Sequence, residues 1–283
     1  MLPAVVKLCC GISYPHLRSL TGLQRTAVAV IGQELTHMQR WGHVHHLIRT
    51  HSGLKRHEPK PEDISPVPLK EDQLLYVQQG QEAMGKALCM LEDTQGWKFE
   101  ITESEGDVIC SKVIPGAGKV FRLEAVLDAS MDELYDILFV RVEEMHQWNP
   151  SIQQIKVLKH VGAATIVTHE VSAETAGNLI GQRDFLCVRH SCKQKSRVYL
   201  GGAAIQLESL PPQPGFVRAE DGPTCIIIQP LDGDMGKSRF TWLLNMDVKG
   251  WLPKSIVNQA LPRAQLDFTR HLRRRLTASS TLG

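Results

Sequence analysis

Alternating apolar and polar residues fill most of the chain after residue 96 and predict antiparallel β-strands. In the run 119–128, for example, Phe121, Leu123, Ala125 and Leu127 fall on one face of such a strand. Short glycine-containing turns at 105–107 and 115–118 separate the first three runs and favour hairpins. The predicted strands cover 97–104, 107–114, 119–128, 152–159, 164–171, 183–192, 197–206, 215–221, 224–229 and 238–248.

A second pattern, with apolar residues three or four positions apart, predicts helices that flank the strands. One covers 70–92, and a short one begins at Ser130, which can form a capping box with Glu133. The last covers 253–276, with Pro253 in its first turn and Pro262 inside, where we expect a kink. A long amphipathic helix would cover the open face of a curved antiparallel sheet, which indicates the α+β class.

Two charged residues lie on the predicted buried faces of neighbouring strands. Glu170 shares a strand face with Ile166, and Arg189 shares one with Phe185. A charge on an inward face is costly unless it finds a partner, so we expect the two charges to pair inside the protein. A cavity with one polar end suits a mostly apolar ligand that carries a single polar group.

The first sixty residues differ in composition from the rest of the chain. They hold eight lysines and arginines but only two acidic residues, with serines and threonines scattered among them. This composition is typical of a mitochondrial presequence, and a basic tail without a targeting role is the alternative. Residues 58–68 contain four prolines and predict a linker. We therefore assign 1–62 to the presequence and linker, and 63–283 to the folded domain.

Other features of the composition exclude several classes of protein. Beyond residue 60 the chain is slightly acidic, so we expect no binding to nucleic acid. Seven cysteines, with no CxxC pair, indicate reduced thiols. No apolar run reaches the roughly 18 residues that a membrane-spanning helix needs. Histidines crowd residues 37–57, but a targeting segment has no surrounding shell to fix metal ligands, so we expect no metal.

The chain carries no complete motif of an enzyme. GDMGKS, at 233–238, resembles the end of a phosphate-binding loop, but it lacks the first glycine and leads into a predicted strand. We interpret it as a hairpin turn. Neither a GxSxG elbow nor an HExxH helix occurs. We therefore expect a protein that is not an enzyme; an enzyme acting inside the cavity and a lipid sensor that moves no cargo are the alternatives.

Long stretches of the chain resemble the START lipid-transfer family: WNPSIQQIKVL, THEVSAETAGNLIGQRDF, RAEDGPTC and TWLLNMDVKGWLPKSIVNQ. The resemblance extends to MLPAVVKLCCGISY at the start and covers essentially the whole chain. It implies the helix-grip fold, in which a curved antiparallel sheet grips a long C-terminal helix around a lipid tunnel. It also implies the activity of the mitochondrial members of the family, which bind one cholesterol and promote its movement from the outer to the inner mitochondrial membrane for steroid hormone synthesis.

The resemblance assigns roles to individual residues. The interior acidic–basic pair of the family falls on Glu170 and Arg189, and its sterol-facing tryptophan falls on Trp242. The positions that match the cavity wall are Trp148, Leu200 and Phe268. The elements that match the gate are the loop 172–182 and the helix 253–276, which contain Ala176, Gly177, Gly181, Leu261 and Leu272.

Two departures from the family pattern stand out. The family has a phosphorylated serine after two arginines, whereas Ser196 of this chain follows Lys193, Gln194 and Lys195. Phosphorylation of Ser196 is therefore in doubt. Pro262, inside the helix that matches the gate, is the other departure.

The expected partners follow from the same resemblance. They are cholesterol, the surface of the mitochondrial outer membrane and the import machinery, with no cofactor and no nucleic acid, and we expect a monomer. Several arginines near the end of the last helix could help it to loosen at an anionic membrane, namely Arg270, Arg273, Arg274 and Arg275.

Overall fold

The computed structural model describes residues 69–103, 105–174 and 181–280, and the side chains up to residue 278. The predicted presequence and linker therefore lie outside the described residues, and the domain boundary at residue 63 stays a prediction.

A ten-stranded sheet forms the centre of the domain. Along its main path the strands follow the order β1-β2-β3-β11-β10-β7-β6-β5-β4, and every neighbouring pair on that path is antiparallel. Short β8 joins β6 in parallel, and β9 and β12 form a separate pair. The strands are β1 Lys98–Thr102, β2 Val108–Ile114, β3 Gly118–Leu127, β4 Ile152–Val161, β5 Thr165–Ser172, β6 Gln182–Lys193, β7 Val198–Ala204, β8 Phe216–Arg218, β9 Glu220–Asp221, β10 Thr224–Leu231, β11 Asp234–Leu244 and β12 Met246–Asp247.

Two long helices flank the sheet. Helix α1, Glu71–Glu92, precedes the first strand, and helix α4, Lys254–Ser280, follows the last one. Between β3 and β4 lie α2, Met131–Tyr135, a π-helical turn at Asp136–Val140, a 3-10 turn at Val142–Glu144, and α3, Met145–Trp148. The Ser130 hydroxyl accepts the backbone N–H of Glu133 at 3.2 Å, so the predicted helix cap is present.

The two faces of the sheet bury different apolar clusters. Alternate residues of the strands, including Phe185, Phe240 and Trp242, pack with α4 in the main core. The opposite face packs against α1 through a smaller cluster around Met84 and Leu243. The helix approaches the sheet closely at Gly201, where an added Cβ would lie 2.4 Å from the Cβ of Met84. The fold is therefore the predicted helix-grip fold, with α4 as the gripped helix.

The structure corrects several predicted element bounds. The predicted strand 215–221 divides after Arg218, because its first half pairs with β6 while its second half pairs with β12. The predicted strand 238–248 likewise divides at Asn245, although β11 begins earlier, at Asp234. The turn predicted at 233–238 shrinks accordingly and is made by Gly233, whose φ is +83°. The last helix is longer than the predicted 253–276, and it continues through Pro262.

Candidate functional site

Glu170 and Arg189 form a buried ion pair on the face of the sheet that packs with α4. The Glu170 side chain has no exposed surface, and Arg189 is 7% exposed. The Arg189 Nε donates to Glu170 Oε1 at 2.8 Å, and a second guanidinium nitrogen donates to the same oxygen. The Thr168 hydroxyl also donates to Oε1, at 2.9 Å. Because β5 and β6 place Ile166 opposite Arg189, the long arginine side chain runs along the strands to reach Glu170.

Each member of this pair keeps the other one charged. Burial alone would raise the pKa of Glu170, but the charge and hydrogen bonds of Arg189 outweigh burial and lower that pKa below its ordinary value. Burial would lower the pKa of Arg189, and the Glu170 charge raises it above the ordinary value instead. The site therefore contains a neutral ion pair with little spare acid or base strength.

A third buried ionisable residue, Asp221, lies near this pair, and sequence reasoning missed it. Asp221 is 3% exposed, and its Oδ2 accepts a weak hydrogen bond from the Cys187 thiol at 3.6 Å. Burial raises the pKa of Asp221 to about 7, and the Glu170 carboxylate adds to the rise. Asp221 belongs to β9, and a strand of two residues gives no clear hydrophobicity pattern. The only sequence signal for its role was an acidic residue next to Gly222.

The backbone around Asp221 is held tightly. Asp221 pairs with Met246 between β9 and β12, and the N–H of Gly222 donates to the carbonyl of Asn245 at 2.9 Å. A Cβ on Gly222 would lie 2.3 Å from the Asn245 side-chain nitrogen, so glycine is required for this approach. These contacts fix Asp221 beside β6 and β7.

A small cavity lies between the sheet, the short helical segments after β3, and α4. Its volume is about 20 Å³. Its lining is apolar apart from Arg189 and comprises Leu138, Phe139, Met145, Leu200, Gly201, Ile226, Trp242 and Phe268. Four of the residues assigned to the ligand by resemblance therefore line a single cavity: Arg189, Leu200, Trp242 and Phe268.

Phe268 of α4 is the centre of an aromatic cluster at this cavity. Its ring centroid lies 5.1 Å from that of Trp242 and 5.5 Å from that of Trp148, both in tilted arrangements. Phe240 stacks on it at 6.4 Å. The cluster joins α3, β11 and α4, so Trp148 contacts the cavity wall through Phe268. Glu170, the sixth of the assigned residues, reaches the cavity through Arg189.

Several buried polar atoms at this end of the core have no hydrogen-bond partner among the described residues. They are Glu170 Oε2, Asp221 Oδ1, Trp242 Nε1 and Gln265 Oε1. Gln265 of α4 uses its amide nitrogen to donate to the Trp242 carbonyl at 3.2 Å, which ties the helix to β11. Unpaired buried groups are expensive, so each of these four atoms is a candidate to bind a ligand or an ordered water.

The residues assigned to the gate lie in different surroundings. Leu261 and Leu272 are buried in the main core, where they attach α4 to the sheet. Gly181 has a φ of +75°, a conformation that favours glycine. Ala176 and Gly177 lie outside the described residues.

Arg183 connects the two gate elements, a role that sequence reasoning also missed. Its buried guanidinium donates to the carbonyl of Gly181 at 2.7 Å, at the end of the loop 172–182. It also donates to the carbonyls of Val248 and Lys249, at 3.3 and 3.4 Å, just before α4. One side chain therefore links Gly181 to the segment just before the helix.

Ion pairs hold the other end of α4 against the β1–β2 hairpin. Arg273 donates twice to the buried Asp107, at 2.5 and 2.7 Å, and also reaches Glu105 at 2.8 Å. The Thr269 hydroxyl donates to Asp107 at 2.7 Å as well. Arg270 pairs with Asp267 and Glu103. Two of the arginines predicted to meet a membrane are thus engaged within the protein.

Ser196 lies in the turn between β6 and β7 and is exposed. The turn is closed by a hydrogen bond from the N–H of Gln194 to the carbonyl of Arg197 at 2.8 Å. The hydroxyl is accessible to a modifying enzyme in this position, and phosphorylation there stays a prediction.

The described ranges contain neither a metal-binding cluster nor a helix that could span a membrane. No group of three or more histidine, cysteine or acidic residues there could hold a metal ion. None of the helices there is both long and apolar enough to cross a bilayer. The crowded histidines of 37–57 lie outside these ranges.

Comparisons with known proteins agree with this geometry. The START domain family matches residues 77–281. The steroidogenic acute regulatory protein of Bos taurus is 47% identical over 287 residues, covering 100% of this chain and 99% of the relative. Those of Danio rerio and Homo sapiens are each 45% identical, with 98% of this chain and 96% of the relative covered. All three are named as mitochondrial, which confirms the predicted location.

Solved structures show the same fold at lower identity. Human StAR-related lipid transfer protein 5 superposes with a TM-score of 0.66 at 22% identity, covering 74% of this chain and 99% of that one. Human STARD10 gives a TM-score of 0.58 at 18% identity, covering 78% and 87%. The chain therefore belongs to the START domain family of lipid-transfer proteins, and within it to the steroidogenic acute regulatory proteins.

Proposed function

We propose that this protein binds one cholesterol in the cavity between the sheet and α4 and carries it from the outer to the inner mitochondrial membrane for steroid hormone synthesis. The observation that carries this proposal is the cavity itself, whose wall is apolar except for Arg189, which is paired with the buried Glu170. A sterol has the matching chemistry, because it is a rigid apolar body with a single hydroxyl.

The affinity would come from the apolar wall. Burial of apolar surface contributes roughly 25 cal/mol per Å² before the costs of binding are subtracted. The hydroxyl would otherwise lose its hydrogen bonds to water, so it needs a polar partner inside. Glu170 Oε2 has no partner among the described residues and can accept that hydroxyl, either directly or through a bridging water.

Entry of a sterol requires the cavity to widen. The closed volume of about 20 Å³ is room for about one water molecule. The parts that would move are α4 and the loop 172–182, since α4 contributes Phe268 to the cavity wall and Arg183 binds both Gly181 and the segment just before the helix. Helix α4 would loosen as a lid at the membrane surface.

A carrier needs no catalytic group, and the chemistry of the site supports a carrier. Glu170 and Arg189 are occupied with each other, which leaves neither as a free acid or base. Burial raises the pKa of the Cys187 thiol well above its ordinary value, so it would be a poor nucleophile. We therefore propose that cholesterol is the only ligand and that no cofactor takes part.

The cellular setting follows from the N-terminal composition and the names of the relatives. The basic segment within 1–62 would direct the chain to the import machinery, while the folded domain would act as a monomer at the outer membrane. The import step and the sterol step are proposed as separate activities of separate parts of the chain.

The first experiment measures cholesterol binding by the full chain and cholesterol transfer between phosphatidylcholine vesicles. The test variant replaces both members of the pair, Glu170→Met with Arg189→Leu, because a single replacement would leave a buried charge. The matched control removes an exposed pair, Asp128→Asn with Lys237→Gln, whose atoms lie 2.9 Å apart.

The proposal expects one cholesterol per wild-type chain and transfer by a small amount of protein. The buried double variant should lose most of its binding, whereas the exposed one should keep it. Binding without transfer would support the sensor hypothesis instead. A folded wild-type chain that binds no cholesterol would refute the proposal.

A further inference from the structure

Asp221 is a buried carboxyl close to the Glu170–Arg189 pair, where a further charge would be unfavourable. Glu170 and Arg189 already neutralise each other there, so an ionised Asp221 would be a third, uncompensated charge. Such a charge is costly in the interior, and a buried carboxyl without a cationic partner of its own favours its neutral form.

The contacts of Asp221 agree with a neutral carboxylic acid. Its Oδ2 accepts the weak hydrogen bond from the Cys187 thiol, while Oδ1 has no partner among the described residues. Glu170 Oε2 is also unpartnered there, and Glu170 lies nearby, because it accepts from Thr168, which is opposite Cys187 in the sheet. The site thus offers a carboxylate oxygen that can only accept a hydrogen bond and a carboxylic acid that can donate one.

We propose that Asp221 is a second ligand-binding group, which as a neutral acid donates a hydrogen bond to the oxygen of the bound lipid while Glu170 accepts a hydrogen bond from the same oxygen. The proposal rests on the lipid-carrier function above and specifies the ligand class. The oxygen that satisfies both residues must be both donor and acceptor, and a free hydroxyl meets this requirement.

This arrangement selects against other oxygen groups. A ketone or an ether can accept from Asp221 but has no hydrogen for Glu170, whose buried oxygen would stay unpaired. Sites that are built to pair with a hydroxyl discriminate strongly against analogues that lack it. The ligand class is therefore a hydroxysterol, in preference to its 3-keto or 3-methyl ether form.

The neighbours of Asp221 determine how the site responds to pH. Burial and the Glu170 carboxylate bring the pKa of Asp221 to about 7. The pKa of Glu170 is lowered by Arg189, that of Arg189 is raised by Glu170, and that of Cys187 is raised well above its ordinary value by burial. Of these four groups, only Asp221 changes its charge near neutral pH.

The test compares the full-length wild type with Asp221→Leu and Asp221→Asn. Asparagine keeps a donor but cannot ionise, whereas leucine removes the donor. Asp128→Asn is the matched control, because the Asp128 side chain is 82% exposed. The probes are cholesterol, cholest-4-en-3-one and cholesterol methyl ether in phosphatidylcholine vesicles, and binding is measured at about pH 6 and about pH 8.5, on either side of the Asp221 titration.

We expect Asp221→Leu to weaken cholesterol binding about tenfold at the lower pH, which corresponds to one hydrogen bond. Wild-type binding should weaken by a similar factor as the pH rises, while Asp221→Asn should bind equally at both values. Wild type should prefer cholesterol over both analogues. Asp128→Asn should follow wild type in every measurement.

Equal pH profiles for wild type and Asp221→Asn would overturn the inference, as would undiminished cholesterol binding by a folded Asp221→Leu. If Asp221→Leu does not fold, the pH profiles of cholesterol binding by wild type and Asp221→Asn still test the inference. A wild type that binds cholesterol with no effect of Asp221 would leave the carrier function standing. A folded wild type that binds none of the three probes would remove the carrier function itself.

Discussion

At the scale of single residues, the interior charges of this protein depend on one another. Glu170 is ionised because Arg189 lies against it, whereas Asp221 resists ionisation because burial and the Glu170 carboxylate raise its pKa. The buried ion pair is a weak source of stability, since both charges had to leave water. Removing one member should lower the stability strongly, because the other member would remain as a buried charge without a partner.

Arg189→Leu should therefore lower the free energy of unfolding by about 3–5 kcal/mol. The additional change Glu170→Met should restore most of this loss, because it removes the stranded charge. Urea denaturation of wild type and of the single and double variants checks both expectations. A double variant as unstable as Arg189→Leu would show that the stranded carboxylate is not the cause.

The two buried carboxyls should have opposite effects on stability as the pH changes. The pKa of Glu170 is lower in the folded state, so its contribution is present above its unfolded pKa and is lost as the pH falls through the folded value. The pKa of Asp221 rises from 3.8 to about 7 on folding, so its contribution is present in acid and is lost as the pH rises toward about 7.

Asp221→Asn removes the second of these effects. Between about pH 5 and about pH 8 the unfolding free energy of wild type should fall relative to that of Asp221→Asn, by an amount on the order of a few kcal/mol. Thermal or urea unfolding of the two proteins across this range measures the difference. Parallel curves would mean that Asp221 titrates at an ordinary value in the folded protein.

Sequence reasoning predicted part of this site and missed another part for a physical reason. Glu170 and Arg189 stand out because each places a charge on the inward face of a predicted buried strand. Arg183 and Asp221 lie at strand ends, where the alternation has no neighbours on one side and a charge is not unusual. Their burial comes from the contacts of loops and short strands, which the pattern along the chain does not contain.

At the scale of whole elements, α4 is held by more than its apolar stripe. Leu261, Leu272 and Phe268 pack in the core, whereas Arg273 and Thr269 bind the single buried acid Asp107 of the β1–β2 hairpin. A surface cleft of about 580 Å³ lies beside these ion pairs, between the hairpin and the helix. The hairpin therefore anchors the C-terminal half of the proposed lid.

Asp107→Asn should weaken this anchor by about 2 kcal/mol, the scale of a hydrogen bond to a charged group. Amide hydrogens in the second half of α4 should exchange faster with solvent, with less change in β5 and β6. Hydrogen exchange with mass spectrometry measures both regions. Glu82→Gln, which removes an exposed ion pair with Lys86, is the control and should change neither.

The packing of α1 on the sheet makes a further prediction. Gly201→Ala would place its Cβ 2.4 Å from the Cβ of Met84 and 2.9 Å from its Cα, so the helix must shift. We expect a loss of about 1–3 kcal/mol in unfolding free energy.

Gly85→Ala is the matched control for that change, because nothing lies within 4 Å of the added Cβ. It lies inside α1, where alanine is favoured over glycine, and should raise stability by roughly 0.5–1 kcal/mol. Chemical denaturation compares the two variants. If Gly201→Ala were as stable as wild type, α1 would have to shift away from the sheet at no cost in stability, which would contradict tight packing at Gly201.

The elements themselves were largely predictable, because long periodic runs carry their own signal. The strand predicted at 183–192 and the cap at Ser130 both appear in the structure, although the strand is buried on both faces. The divided strands at 215–221 and 238–248 were not predictable, since the change of partner depends on residues far away in the chain. The parallel pairing of β8 with β6 was not predictable for the same reason.

At the scale of the whole molecule, the closed cavity constrains how any lipid can be bound. The space beside Arg189 is far smaller than a sterol, so binding includes the movement of α4 or its neighbours. A step of this kind limits the rate of binding when ligand is abundant.

The observed rate of cholesterol uptake should therefore approach a plateau as the cholesterol concentration rises. Stopped-flow measurements of tryptophan fluorescence follow this reaction, because Trp242 lines the cavity. Asp107→Asn should raise the plateau by loosening the helix. A rate that increases in proportion to concentration over the whole range would contradict a closed resting form.

A cavity that closes on itself has a consequence for delivery as well as for uptake. The aromatic contacts of Phe268 with Trp148 and Trp242 must separate for cargo to enter, and they form again when it leaves. The free energy that the core regains when it closes therefore favours release of the ligand, and it weakens binding by the same amount. A carrier that releases its ligand readily can go through many cycles of transfer, whereas a carrier with a large preformed cavity would tend to retain its ligand.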